Sequence, residues 1–299
     1  MVEAVRWTVG TILAWTCEFF ASRNLDTPRL DAEVLLAHVL DCRRIELYTR
    51  HDRPLDLGER ESMRALVRRR VGGEPVAYLV GEREFWSLPF ASDHRALIPR
   101  PETEVLVEEC LAPYRGGPDL PPVEPPRRVA DIGTGSGVIA VVLARELPGA
   151  PRIWAVDNDM AALALARQNV ERYDLTGRVE LRCGELLEAV RRDGPFDLVA
   201  ANLPYVRESD LDRLPREVRE HEPRQALDGG PDGLRLVRLL LAQAACLLDS
   251  PGRLVLELGD GEQVDEVVQI ATSQHGFHGA VVRDDYAGRP RVVRLEQRG

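Results

Sequence analysis

The strongest constraint on this chain is an alternation that begins at Arg127. Short apolar runs at Arg128–Ile132, Ile153–Asp157, Val179–Arg182, Phe196–Ala201 and Arg253–Leu258 read as strands. Helical patterns such as Val138–Leu147, Met160–Arg172 and Leu234–Leu248 lie between them. Elements ordered this way stack helices on both faces of a parallel sheet. The end of the chain departs from the rule. Ala280–Arg283 and Arg291–Leu295 are separated by a tight Asp285-Tyr286-Ala287-Gly288 turn, so those two strands must pair antiparallel. The expectation is an α/β fold whose mostly parallel sheet is closed by an antiparallel hairpin.

The first strand delivers Asp131-Ile132-Gly133-Thr134-Gly135-Ser136-Gly137 to the start of the next helix. Glycines there let backbone approach a ligand, and the helix start presents unsatisfied N–H groups. The spacing is GxGxG, not the GxGxxG of pyrophosphate-binding dehydrogenases. A carboxylate at Asp131 would repel pyrophosphate but suit an ammonium group. S-adenosylmethionine carries an α-ammonium, a carboxylate and a sulfonium, so Asp131, Gly133, Thr134, Gly135, Ser136 and Gly137 are candidate cofactor residues. Asp157, at the end of the second strand, stands where a carboxylate can accept both ribose hydroxyls. Glu185 could accept the adenine amino hydrogens while Leu186 packs on the ring. Taken with the terminal hairpin, this loop suits a class I S-adenosylmethionine-dependent methyltransferase, Rossmann-like in its sheet, better than a dinucleotide dehydrogenase.

The fourth strand ends on Asn202-Leu203-Pro204-Tyr205, at the carboxyl edge where open α/β sheets bind ligands. A planar amide is a poor nucleophile because its lone pair is delocalised into the carbonyl. Two acceptors gripping its N–H groups would orient it and favour charge growth on nitrogen. The Asn202 side-chain oxygen and a main-chain carbonyl of the turn supply that pair. Pro204 stiffens the turn, and Tyr205 offers a π face to the planar group and the cationic donor. No general base is needed before transfer, so the catalytic terms are orientation and electrostatic preorganisation. The long connection 206–232 is expected to cover the substrate.

Ahead of this region the first 74 residues read as helices only and form one expected domain. It has an amphipathic helix from Trp7 to Phe20, a second from Leu30 to Leu40 behind Thr27-Pro28, and a third from Gly58 to Val71 stopped by Gly72-Gly73. Residues 75–100 read as a β-hairpin linker, with Val76–Val80 as its first strand, and residues 101–299 as the methyltransferase domain. The prolines between Pro113 and Pro126 mark a surface loop. All 39 basic residues are arginine. Without lysine the chain can run no Schiff-base chemistry, build no Walker A phosphate loop and use no kinase strand lysine. Five scattered cysteines without a CxxC pair indicate neither a disulfide framework nor zinc, and no metal site is expected. No stretch reaches the ~18 apolar residues of a membrane span. A cytoplasmic enzyme is expected. The net charge of −10 argues against direct nucleic-acid binding.

Together these residues resemble the HemK/PrmC family of protein-(glutamine-N5) methyltransferases acting on peptide chain release factors. The resemblance also takes in Pro75-Val76-Ala77-Tyr78, Phe85-Trp86-Ser87-Leu88, Leu97 to Glu104 and Glu222-Pro223-Arg224. Farther on it includes Glu257-Leu258-Gly259 with Gln263, and Asp285 to Arg291. It implies an N-terminal helical domain that docks a class 1 release factor. It also implies a methyl acceptor that is the glutamine of that factor's Gly-Gly-Gln loop, and a monomeric enzyme. The family's usual NPPY is NLPY here; Leu203 presents the same main-chain carbonyl. Leu186 stands where some members place an aromatic residue. Three alternatives stay open on the sequence: glutamine methylation of a ribosomal protein, N6-adenine methylation of DNA, and a catalytically dead scaffold.

Overall fold

The computed structural model describes residues 7–115 and 123–297. It divides into two compact units, Met1–Gly81 with Pro215–His221, and Glu82–Leu214 with Glu222–Gly299.

The first unit holds α1 (Val9–Ser22), α2 (Pro28–Val39), α3 (Arg44–Thr49), α4 (Leu57–Val71) and α5 (Val76–Val80). Their starts are written in the sequence. Thr8 accepts from Thr11 N at the head of α1, and Asp56 and Glu59 form a reciprocal capping box on α4. At the head of α2 the Thr27 hydroxyl makes no cap bond to the backbone; it donates to Asp31 Oδ1 at 2.7 Å, and Pro28 opens the first turn. A core of Val9, Phe20, Leu35, Leu36, Leu47 and Met63 closes the unit. The expected first linker strand is instead α5, a single helical turn between Pro75 and the left-handed Gly81 (φ 77°). Five apolar residues in a row do not distinguish a strand from a buried turn of helix, and the two flanking residues decide it.

The second unit opens with a hairpin of β1 (Glu82–Phe85) and β2 (Leu88–Ala91), followed by α6 (Thr103–Arg115). Of the proline-rich stretch, Pro113 lies inside α6 and residues 116–122 lie outside the described residues. Then come β3 (Arg128–Ile132), α7 (Val138–Glu146), β4 (Arg152–Asp157), α8 (Met160–Arg172), β5 (Val179–Cys183) and β6 (Phe196–Asn202). The connection after β6 carries two 3-10 turns and a short helix, α9 (Arg216–His221), which belongs to the first unit. The chain ends through α10 (Arg235–Leu247), β7 (Leu248–Glu257), α11 (Gly261–Gln274), β8 (His278–Asp284) and β9 (Pro290–Glu296).

Seven strands form one sheet in the order β5-β4-β3-β6-β7-β9-β8. The first five run parallel, and β9 inserts antiparallel between β7 and β8. Alternation along the strands separates two apolar layers. Ala130, Ile132, Val199, Ala201, Leu254 and Leu256 pack with α10 and α11. Val129, Leu198, Ala200 and Val255 pack with α6 and α7. The second layer therefore also receives whatever follows its residues at intervals of two: Asp131, Asn202 and Glu257.

Candidate active site

An open cleft of about 1030 Å³, its open mouth included, lies at the carboxyl ends of β3, β4, β5 and β6. It is lined by Gly133, Thr134, Gly135, Ser136, Asp157, Glu185, Leu186, Asn202, Leu203 and Pro204. These residues arrive from four separate strand ends, and the parallel sheet brings them together.

The glycine loop is held from both sides. Gly133 N and Thr134 N donate to the Val156 carbonyl at 2.9 Å each, and Gly135 N donates to Asp157 Oδ2 at 2.9 Å. Gly133, Gly135 and Gly137 all have positive φ, so a β-carbon would be strained at each. Gly137 does not line the cleft. It sits against Ala166 at the head of α7, where an added Cβ would come within 3.1 Å of that side chain.

Asp131 also stands elsewhere than expected. Strand alternation turns it toward α7, fully buried beneath the loop and outside the cleft lining. Its Oδ2 accepts from the Thr134 hydroxyl at 2.6 Å and Ala140 N at 3.0 Å, while Oδ1 has no partner. Burial pushes its carboxyl up to about 7 against those two bonds. It braces the loop from below.

Asp157 does face the cleft. Its Oδ1 accepts from Asp159 N at 3.0 Å, and burial raises its carboxyl despite the amides of Asp159 and Gly135. Glu185 is exposed at the rim, 3.5 Å from Asn158 Nδ2, and Leu186 is buried with a positive φ of 48°.

Asn202 projects from the end of β6 and donates from Nδ2 to the Thr103 hydroxyl at 3.1 Å. Leu203 packs over the bare face of Gly133, its Cδ2 only 3.0 Å from where a β-carbon would stand. Gly229 and Gly233 lie so close under the turn that a Cβ would meet the Pro204 carbonyl at 2.7 Å or the Tyr205 carbonyl at 2.2 Å. Gln263, buried in α11, donates to the Tyr205 and Asp232 carbonyls at 3.0 Å each. The tetrapeptide is therefore clamped on its backbone. Tyr205 corrects the sequence expectation: its ring lies against Gly259, and its hydroxyl donates to Glu257 Oε1 at 3.4 Å. The residue is partly buried and is not among those lining the cleft.

One wall, Arg95–Leu97 with Pro99, Arg100 and Thr103, went unread in the sequence; another, Pro223, Gln225 and Ala226, comes from the connection 206–232 that was expected to cover the substrate. Glu222, 6% exposed, joins them by accepting from Ile98 N at 3.0 Å and Arg100 Nη2 at 2.5 Å. Gln225 bonds Asp159 across the cleft mouth. Arg100 and Glu222 stand in the motifs that carried the resemblance, but nothing in their spacing says that they meet. Among the described residues there is no cluster of side chains able to hold a metal ion, and no helix is long and apolar enough to cross a membrane.

Comparison with known proteins agrees with this architecture. Residues 11–81 match the PrmC N-terminal domain model, and residues 129–221 match a methyltransferase domain model. A methyltransferase structure from Pyrococcus furiosus has the same fold, with a TM-score of 0.50 at 17% identity, covering 72% of this chain and 91% of that one. The release factor glutamine methyltransferase of Rhodopirellula baltica is 41% identical over 97% of each chain. That of Geobacter sulfurreducens is 41% identical over 96% of each. The sheet, the clamped tetrapeptide and this near full-length likeness assign the chain to the release factor glutamine methyltransferase family.

Proposed function

We propose that this chain transfers a methyl group from S-adenosylmethionine to the side-chain amide nitrogen of the glutamine in the Gly-Gly-Gln loop of a class 1 peptide chain release factor. The observation that carries the reading is Asn202: it lines the same cleft as the glycine loop and Asp157.

The donor set suits the cofactor. Asp157 offers a carboxylate for ribose hydroxyls, and Glu185 offers an acceptor for the adenine amino group. Leu186, Ile139 and Val138 supply an apolar shelf, and the loop Gly133–Gly137 leaves main chain bare for the amino-acid end. Asp131 and Gly137 serve it indirectly, by holding that loop in shape. When bound, the cofactor supplies a methyl group already activated by its sulfonium.

The chain's own residues then have a positioning task. The Asn202 side-chain oxygen and the Leu203 carbonyl accept the two N–H groups of the substrate amide. That grip fixes the nitrogen toward the donor and favours its developing positive charge. Pro204 and the Gln263 bond keep the two acceptors in register, and Tyr205 anchors the turn from behind. The helical unit, residues 1–74 with its neighbours, docks the body of the release factor. The reading is of a monomeric, cytoplasmic enzyme that needs no metal.

Purified release factor and ribosomal proteins, incubated with the enzyme and labelled cofactor, should be analysed by peptide mass spectrometry. A +14 Da shift confined to the Gly-Gly-Gln peptide is expected, and a shift only on a ribosomal protein would overturn the assignment. Asn202→Ala should lower turnover by about 10³-fold or more, the scale of a lost transition-state contact, while cofactor still binds.

A further inference from the structure

An asparagine amide has an accepting and a donating end, and only one of them can grip a substrate N–H. Which end faces the cleft is decided by what holds the other. Here Nδ2 of Asn202 donates to Thr103 Oγ1 at 3.1 Å, which leaves Oδ1 for the cleft. Thr103 is the first residue of α6 and only 3% exposed, and its own N donates to the Arg100 carbonyl at 3.1 Å. It is fixed by the backbone as well as by the side chain.

A hydroxyl that accepts from an amide still has one proton to give. Glu257 stands on the same face of the sheet as Asn202. Asn202 and Glu257 are register partners on the adjacent parallel strands β6 and β7, so both side chains emerge on the α6 face. The Thr103 hydroxyl favours the ionised Glu257 carboxyl, and Arg291 adds to that preference. Glu257 is 1% exposed, its Oε1 receives the Tyr205 hydroxyl, and its Oε2 has no hydrogen-bond partner of normal geometry. A carboxyl this deeply buried is costly unless something uses it.

We propose that Thr103 is a positioning residue that keeps Asn202 turned with its oxygen toward the substrate amide. Thr103 accepts from Asn202 Nδ2, and in that orientation Oδ1 is the end left for the substrate. A flipped Asn202 would present an NH₂ group to the substrate's own NH₂, and the grip would become a clash of donors. The inference rests on the reading of Asn202 as the residue that holds the amide.

The test compares the parent chain with Thr103→Val, which keeps the shape without the hydroxyl, and Thr103→Ser, which restores it. Turnover and KM are measured on purified release factor, cofactor affinity by calorimetry, and folding by thermal melting. Thr103→Val should lower kcat by about 10–100-fold, as for one lost orienting hydrogen bond, with cofactor Kd unchanged within twofold. Thr103→Ser should recover most of it. Should the valine pack badly, Thr103→Ala gives the same split without added bulk. Parental kcat in the valine and alanine variants, or a serine variant no better than valine, overturns the inference. A cofactor Kd that worsens as much as kcat falls also overturns it, because Thr103 would then only be supporting the cleft. A parent enzyme that leaves release factor unmodified defeats the functional reading itself, and this inference with it.

Discussion

Two pairs of buried carboxylates, Asp31 with Glu33 among the helices and Asp131 with Glu257 behind the cleft, are treated in opposite ways. In the helical unit Asp31 meets Arg70 at 2.7 Å, and Glu33 is held by Arg29, Arg44 and the Tyr48 hydroxyl. Burial alone would push Glu33 up, but those three bonds outweigh it and bring the carboxyl down to about 2. In the second unit Asp131 and Glu257 are as deeply buried, yet each has one oxygen without a partner, and burial lifts both to about 7. Acids that only hold helices together are neutralised by arginine. The two behind the cleft are left under-satisfied, which a fold tolerates where geometry serves something other than stability.

The largest expected effect lies on the neutralised side. Arg70→Met would leave Asp31 buried without its counter-charge and should cost ~3–5 kcal/mol in denaturant unfolding; a loss below ~1 kcal/mol would mean that the pairing is incidental. On the other side the sign reverses. The folded pKa of Glu257 lies above its ordinary value of 4.5. Its folded form therefore binds a proton more tightly than the unfolded chain, and stability declines as pH rises from about 4.5 through 7. Glu257→Gln removes that decline: it should match the parent near pH 4.5 and gain up to about 3 kcal/mol by pH 8. Equal pH dependence in thermal melts of parent and variant would erase the contrast. Asp157→Ala should weaken cofactor binding by roughly 1–3 kcal/mol, the scale of lost charged hydrogen bonds, read by calorimetry. Smallest of all, Arg64→Ser and Arg68→Ser should alter stability by less than ~0.5 kcal/mol. Both are exposed on α4 and make no ion pair among the described residues, whereas Arg69 and Arg70 of the same helix are bound to Glu74, Asp31 and Glu217. Slower release-factor methylation by either serine variant at unchanged stability would mark that face as a docking surface.

The legible parts of the molecule were those governed by local pattern. Strand runs, the GxGxG loop and the Asn202 tetrapeptide announce themselves because apolar alternation and glycine placement are properties of neighbouring residues. The same period of two could have reassigned Asp131: Val129 and Asp131 point to one face, and that face is covered by α7, not by the cleft. Tyr205 was misjudged for another reason, since its ring direction is set by Gly259 and Glu257 more than 50 positions away. The cover expected from residues 206–232 does line the cleft at Pro223, Gln225 and Ala226, but its pairing with the Arg95–Arg100 segment through Glu222 and Arg100 is encoded in no local pattern.

The route of the main chain has a consequence of its own. Because Pro215–His221 belongs with Met1–Gly81, the polypeptide passes from one unit to the other three times, after residues 81, 214 and 221. The first unit is therefore not a cassette that a single breakpoint could add or remove. A chain cut after Gly81 would still carry α9, with Glu217 deprived of its bond to Arg70. Recombination that swapped the leading residues alone would have to re-match an insert more than a hundred positions downstream. The two units cannot be exchanged at a single point in the chain.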